Sequence, residues 1–286
     1  MFQFMSMIIF KKVGQLSEYL SGERKSGRRI GFVPTMGALH NGHLSLIETA
    51  KKASDIVVCS IFVNPTQFNN PEDFKHYPIT IEKDIEKLTI FKCDVLFLPS
   101  VEEIYPPDYP KKHFNLGPIE EILEGFYRPG HFQGVCQVVD RLLNIVEPHD
   151  LYLGQKDLQQ CQVIHKLIQL TGKENSVHLN IVPTVREADG LAMSSRNLRL
   201  DDKERKLAVA IYQQLQWIKE NLKTYPIETL THQATQQLTK SGFAVDYISI
   251  SNREDLKPDK DLSHPLAALA AATIGKIRLI DNLFLN

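Results

Sequence analysis

The sequence predicts an α/β protein, with a Rossmann-like parallel-sheet N-terminal domain at residues 1–183 and a smaller α+β domain at residues 184–286. Two patterns carry that expectation. From residue 30 to residue 182, short apolar runs rich in β-branched side chains alternate with segments of helical period, as βαβ units around a parallel sheet require. Beyond Pro183 this alternation stops and a polar loop, two amphipathic helices and separate strands follow. A length of 286 residues suits two ordinary domains of roughly 100–200 residues each.

The elements follow in order. Residues 1–10 are apolar without a positive n-region or a small-residue cleavage site, and read as a lead-in to the first strand. Residues 30–33 form a strand, followed by a turn and a helix whose face is Leu44, Ile47, Ala50 and Ala53. Residues 56–63 read as a strand buried on both faces. A helix at 81–88 precedes a strand at 95–98, and Pro99, Pro106, Pro107 and Pro110 punctuate the next loop. Val135, Val138, Val139, Leu142 and Val146 mark a helix ended by Pro148. Strands at 151–153 and 177–182 bracket another, with Cys161, Ile164 and Ile168 on its face. Residues 186–199 are a polar loop broken at Asp189-Gly190. Leu207, Ile211, Leu215, Ile218 and Leu222 mark one long amphipathic helix, and a second runs from Pro226 to about Lys240. Strands are expected at 245–250 and 276–280; at 266–272 the alanines favour a helix and the position favours a strand.

Composition narrows the function. Hydrophobic residues make up 43% and charged residues 23%, which excludes disorder and fibrous structure. The 33 basic and 34 acidic side chains leave a net charge of −1, so no basic excess points to a nucleic-acid partner. No apolar run reaches the ~18–20 residues that span a bilayer. Cys59, Cys93, Cys136 and Cys161 form no C-x-x-C pair and are expected to be buried free thiols. A cytoplasmic protein without a membrane or nucleic-acid partner is the expectation.

The first chemical segment is Pro34-Thr35-Met36-Gly37-Ala38-Leu39-His40-Asn41-Gly42-His43, which leaves a strand and enters a helix near His43. That crossover presents backbone N–H groups and the positive end of a helix dipole, which suits an anion such as a triphosphate. Gly42 would let a ligand approach the backbone closely. The spacing is not H-E-x-x-H, so a zinc protease is excluded. Asn64 and Gln67 stand just past a strand's carboxyl end, where open α/β sheets bind ligands; turn formers around Pro65 would read alike. Lys156 is a phosphate contact or a solvated surface lysine, and Ser194-Ser195-Arg196 a phosphate-binding loop or an ordinary polar one.

His40-Asn41-Gly42-His43 resembles the H-x-G-H signature of the nucleotidylyltransferase and class I aminoacyl-tRNA synthetase superfamily. Residues 33–43 are more narrowly similar to the pantothenate synthetase (pantoate–β-alanine ligase) family. So are residues 61–68, the block Tyr152-Leu153-Gly154-Gln155-Lys156-Asp157 with Gln159-Gln160, and residues 185–197. The resemblance runs from about residue 8 to residue 282 in the family's order. Gln155 stands where many members carry glutamate, and Gln133 where arginine is common.

The resemblance implies an ATP site made of Met36, Gly37, Ala38, Leu39, His40, Asn41, Gly42 and His43, of Gly154, Gln155, Lys156 and Asp157, and of Val185, Met193, Ser194, Ser195 and Arg196. It implies that Gln67 and Gln160 hold pantoate, with Gln67 also facing β-alanine and Asn64 beside it. His40, His43, Lys156, Ser195 and Arg196 would form the catalytic group. His43 matches a proton donor, with electrostatic stabilisation by a protonated imidazole as the alternative. Arg128 and His131 are candidates to neutralise a substrate carboxylate. The implied reaction is ATP-dependent condensation of pantoate with β-alanine through a pantoyl-adenylate, giving pantothenate, AMP and pyrophosphate. Magnesium is the implied cofactor, with Asp84 or Asp157 as possible helpers, and a homodimer the implied assembly. A nucleotidylyltransferase acting on another acid or phosphate acceptor would share the His40–His43 turn, and a silent nucleotide-binding module would share the fold.

Overall fold

A computed structural model describes residues 7–68 and 71–286. Strands β1 (Ile8–Phe10), β2 (Ile30–Thr35), β3 (Ile56–Ile61), β4 (Val95–Phe97), β5 (Asp150–Gly154) and β6 (His178–Val182) form one sheet in the order β1-β4-β3-β2-β5-β6. Every pairing in it is parallel. Residues 1–6 of the expected lead-in lie outside the described residues, and its end is β1. After β2 the chain passes through the Asn41–Ala53 helix to β3 on one side, while β5 lies on the other. The carboxyl ends of β2 and β5 therefore flank the switch point at which such sheets bind ligands.

Burial explains the strands. All six residues of β3 are buried. Ile56 and Val58 pack with the His131–Val146 helix on one face, and Val57, Cys59 and Ile61 pack with the Asn41–Ala53 helix on the other. A strand covered by helices on both faces has no polar side to alternate with. The four cysteines are free and buried. A helix at Val13–Lys25, unmarked in the sequence reading, buries Leu16 and Leu20 on the first of these faces.

The rest of the chain carries the 3-10 turn Ser195–Arg199, helices Asp202–Ala208, Ala210–Asn221 and Ile227–Lys240, and an antiparallel sheet of β7 (Ala244–Asn252), β8 (Leu266–Ile274) and β9 (Ile277–Phe284). The expected single helix over 207–222 is two, and it starts earlier. Asp201 accepts from the backbone of Lys203 and Glu204 at 2.8 Å each, and Glu204 accepts from Asp201 N–H at 3.0 Å, a capping box that sets the start at Asp202. The ambiguous 266–272 segment is a strand. Ala268, Ala270 and Ala272 face the helices of this half, whereas Ala267 and Leu269 face Leu158 of the parallel-sheet half. As the middle strand with both faces covered, β8 takes small residues for packing, and packing overrides their helical preference.

Candidate active site

The turn after β2 is held by four hydrogen bonds from three side chains. Gly37 has φ +81° and Ala38 φ +49°, so two successive residues sit in the left-handed region. Asp84, fully buried on the Ile81–Ile90 helix, accepts from the N–H groups of Ala38 at 2.9 Å and Leu39 at 2.8 Å. Thr35 Oγ1 accepts from Gly37 N–H at 3.2 Å, and Lys87 Nζ donates to the Leu39 carbonyl at 2.6 Å. Both oxygens of Asp84 are thus engaged in shaping the turn, which makes this residue a backbone clamp.

His40 caps the Asn41–Ala53 helix: its Nδ1 accepts from Gly42 N–H at 3.2 Å, and His43 Nδ1 accepts from His40 N–H at 3.4 Å. A ring nitrogen that accepts an N–H carries no proton, so the neutral rings carry theirs on Nε2. Burial, with Lys156 nearby, lowers His43 to about 4; burial and then His43 lower His40 to about 2. A Cβ on Gly42 would stand 2.9 Å from His40 Cε1 and Nδ1. The space Gly42 leaves is therefore taken up by the His40 ring.

Asn64, 1% exposed, donates to the Gly134 carbonyl and to Gln67 Oε1 at 3.1 Å each, and accepts from Thr66 and from Tyr105 Oη at 3.0 Å. Its amide is consumed in holding Gln67, whose own Nε2 reaches Met36 Sδ at 3.1 Å. His131 Nδ1 lies 2.8 Å from the Gln67 carbonyl. An oxygen only accepts, so the proton is on Nδ1. Burial and the adjacent Arg128 lower His131 to about 4, so in the free protein it is a neutral brace for Gln67. Gln133 bonds Phe114 and Glu120, away from this wall.

The 186–199 loop is folded down over the turn. Ser195 Oγ donates to the Ala38 carbonyl at 3.3 Å, Ser194 Oγ accepts from Arg196 N–H at 3.3 Å, and Met193 N–H bonds the Val185 carbonyl at 3.0 Å. Beneath it lies a cavity of about 240 Å³ lined by His40, His43, Gln67, Gln160, Lys156 and Arg196, with Arg128 at its side. Arg128, Lys156, Asp157 and Arg196 also line an adjoining cleft of about 1280 Å³. Asp157 lies 3.4 Å from Lys156 Nζ; burial pushes its carboxyl up, but Lys156 and Arg196 hold it below the usual range.

Residues the sequence reading passed over complete the site. Glu124 accepts both Arg278 Nη groups at 2.7 Å and Tyr247 Oη at 2.9 Å, tying β7 and β9 to the cavity wall. Asn282 Nδ2 donates to the carbonyls of Gln155 and Lys156 at 2.9 Å each. The signal for the last was present: Asp281-Asn282 sets two adjacent polar residues between the apolar pairs Leu279-Ile280 and Leu283-Phe284. Among the described residues, no three histidine, cysteine or carboxylate side chains gather to hold a metal ion, and no helix is long and apolar enough to cross a membrane.

A parallel sheet whose switch point carries a histidine-capped helix, backed by a lysine turn and covered by a serine–arginine loop, defines an enzyme that handles a nucleotide. The family model for pantoate–β-alanine ligase matches residues 8–284. Pantothenate synthetase from Thermosipho africanus is 41% identical over 281 residues, covering 98% of this chain and all of that one. The crystal structure of pantothenate synthetase from Thermus thermophilus superposes with a TM-score of 0.92 at 39% identity, covering 98% of this chain and 99% of that one. The enzyme from Francisella tularensis, complexed with β-γ ATP and β-alanine, gives 0.83 at 39% identity, covering 98% of each chain. The chain belongs to the pantoate–β-alanine ligase family. It is a ligase that joins pantoate to β-alanine in an ATP-dependent reaction.

Proposed function

We propose that the ligation runs through a pantoyl-adenylate, with AMP and pyrophosphate as the other products. The observation that supports this best is the seat of Ser195 on the Ala38 carbonyl, which brings the loop, the histidine turn and Lys156 around one cavity. A carboxylate is a poor acyl donor because oxide would have to leave. Attack of the pantoate carboxylate on the α-phosphorus expels pyrophosphate and leaves a mixed anhydride whose phosphate departs readily. Charge growing on the phosphoryl oxygens would meet Lys156, Arg196, Ser195, the His40 and His43 Nε2–H groups and the helix N-terminus. His43 then serves as a neutral donor and not as an acid. The ATP site is assigned to residues 36–43, 154–157, Val185 and 193–196.

Gln67 and Gln160 would bind pantoate through uncharged amides, with Asn64 orienting Gln67. In the second step the amine of β-alanine attacks the acyl carbon and AMP leaves, while the folded loop excludes water and Arg128 faces the β-alanine carboxylate. Magnesium bound to the triphosphate supplies charge neutralisation. Phosphate oxygens and water would hold it, with Asp157 the carboxylate at hand, since Asp84 is committed to the turn. The reading includes a division near residue 183, a cytoplasmic location and a homodimer.

The test is pyrophosphate release from ATP and magnesium with pantoate alone, then with β-alanine, read with mass spectrometry of the products. A stoichiometric burst without amine, followed by pantothenate and AMP when amine is added, is expected. Absence of pantoate-dependent pyrophosphate from folded protein would overturn the adenylate route.

A further inference from the structure

The carboxyl half of β9 reaches into the parallel-sheet half and touches two separate segments of the proposed nucleotide site. Asn282, 2% exposed, donates from Nδ2 to the Gln155 and Lys156 carbonyls at 2.9 Å each, and its Oδ1 accepts from Gln155 Nε2 at 3.1 Å. Two of these bonds hold the backbone of the turn that carries Lys156, and the third holds the Gln155 side chain. The preceding residue faces the loop. Asp281, 6% exposed, takes both Nη groups of Arg186 at 2.6 and 3.0 Å. Arg186 also donates to the carbonyls of Gly190 at 3.1 Å and Asn282 at 3.2 Å, and its guanidinium lies 3.7 Å over the Tyr212 ring. Arg186 pairs with Ala192 across the base of the loop that carries Ser195 and Arg196.

These contacts exceed what anchoring a strand requires. Neither Asp281 nor Asn282 is replaceable by an apolar residue without stranding buried polar partners; Asp281 accepts from Asn282 N–H at 2.8 Å within its own strand, and the remaining side-chain bonds of both reach segments outside their sheet. We propose that Asp281 and Asn282 are positioning residues for the ligase reaction: one strand end sets the Lys156 turn and the loop base together, so that the cations of both meet the same phosphates. The proposal rests on the assignment of Lys156 and Arg196 to the nucleotide. Positional errors of about 1 Å in such groups cost on the order of 100-fold in rate.

The test is a pair of double-mutant cycles on kcat/KM for ATP in pyrophosphate release, with thermal midpoints measured for every variant. Asn282→Ala is expected to lower kcat/KM for ATP by about 10- to 100-fold, with KM for β-alanine unchanged. In a Lys156→Ala background the same change should cost less than about twofold, because the cation whose position it sets is gone. Arg186→Met, which keeps the packing on Tyr212 and removes the bonds to Asp281, should behave likewise against Arg196→Ala. If Asn282→Ala does not fold, the nearly isosteric Asn282→Asp enters the same cycle, since it too loses the donors to the two carbonyls. Additive effects in both cycles would overturn the positioning role. Wild-type ATP kinetics in Lys156→Ala and Arg196→Ala themselves would instead overturn the nucleotide-site assignment, so the two failures are distinct.

Discussion

The backbone N–H of His40 donates to Nδ1 of His43 at 3.4 Å, and the two rings lie 4.0 Å apart centre to centre. One bond thus determines which proton His43 can offer. The same helix start that would attract phosphate oxygens keeps both rings uncharged in the free protein, because burial and the neighbouring cations oppose protonation.

The first prediction is spectroscopic. In the free enzyme His40, His43 and His131 should stay neutral from pH 8 to about pH 5, His40 and His43 as Nε2–H tautomers and His131 as Nδ1–H. His264, exposed and hydrogen-bonded to Asp259 at 2.8 Å, should titrate above the usual histidine range. Long-range ¹H–¹⁵N correlation spectra report both tautomer and titration. His43→Ala should leave the fold intact and slow pyrophosphate release by at least about 100-fold. An imidazolium at His43 in free enzyme at pH 6 would contradict the neutral-donor reading.

Stability should fall on acidification. For a histidine whose folded value is depressed, the unfolded chain binds the extra proton, so ΔG of unfolding rises with pH between the two values and is lost as pH falls below the unfolded one. For His131, 5% exposed and lowered to about 4, the window runs from about 6.5 down to 4, at up to about 1.4 kcal/mol per pH unit. His131→Asn, whose amide can still donate to the Gln67 carbonyl, should flatten the slope by close to one proton between pH 6 and 5. Urea titrations at those two pH values measure it, and an unchanged slope removes His131 from the effect.

How far the site could be read from the sequence follows from the distance over which its parts are joined. The histidine turn stood out because glycines and strand ends are local signals, whereas the Gln155–Asp157 turn and the Ser194–Arg196 run were singled out by their resemblance to the family, their residues alone reading equally as a surface lysine and a polar loop. Their supports were not legible. Asp84 lies 46 residues from Ala38, Asn282 lies 127 from Gln155, and Arg278 lies 154 from Glu124. No periodicity encodes such partners. The fold shows the same limit: β3 announced itself by β-branched residues, whereas β8 could not, since a strand between two layers follows the packing around it.

Gly42→Ala should separate catalysis from stability. Alanine is a better helix former than glycine, so the helix itself gains up to about 1 kcal/mol. The new Cβ, however, falls 2.9 Å from the His40 ring and displaces it, which breaks the bond from Gly42 N–H. Pyrophosphate release should drop more than about 10-fold while the thermal midpoint holds or rises. Wild-type turnover would mean that the His40 ring position is immaterial.

Asp84→Ala should do the opposite of a surface change. It strands the N–H groups of Ala38 and Leu39 in a fully buried place and removes the acceptor that holds Ala38 at positive φ. Loss of buried bonds to a carboxylate predicts about 3 kcal/mol of destabilisation, with weaker binding of a non-hydrolysable ATP analogue. Magnesium concentration should not rescue it. Rescue by excess magnesium would show that Asp84 acts through the metal after all.

Glu124 is the point where the two sheets exchange charge. Its carboxylate, 6% exposed, receives two bonds from Arg278 at 2.7 Å and one from Tyr247 at 2.9 Å, and lies 3.7 Å from Arg128. Glu124→Ala would leave the enclosed Arg128 guanidinium, near Arg196, without its carboxylate and Arg278 with Asp246 alone at 2.7 Å, at a cost of about 3–5 kcal/mol. Arg278→Met alone strands the carboxylate and should cost somewhat less, since Arg128 and Tyr247 remain. In the double variant the penalties should not add, because the two bonds between Glu124 and Arg278 are lost in either single variant and can be lost only once. A coupling of at least about 2 kcal/mol in urea unfolding is therefore expected. Arg128 would then lack the carboxylate that balances it, so KM for β-alanine should fall in Glu124→Gln if Arg128 meets the β-alanine carboxylate. Coupling near zero would mean that solvent already screens the pair, and an unchanged KM would place the β-alanine carboxylate elsewhere.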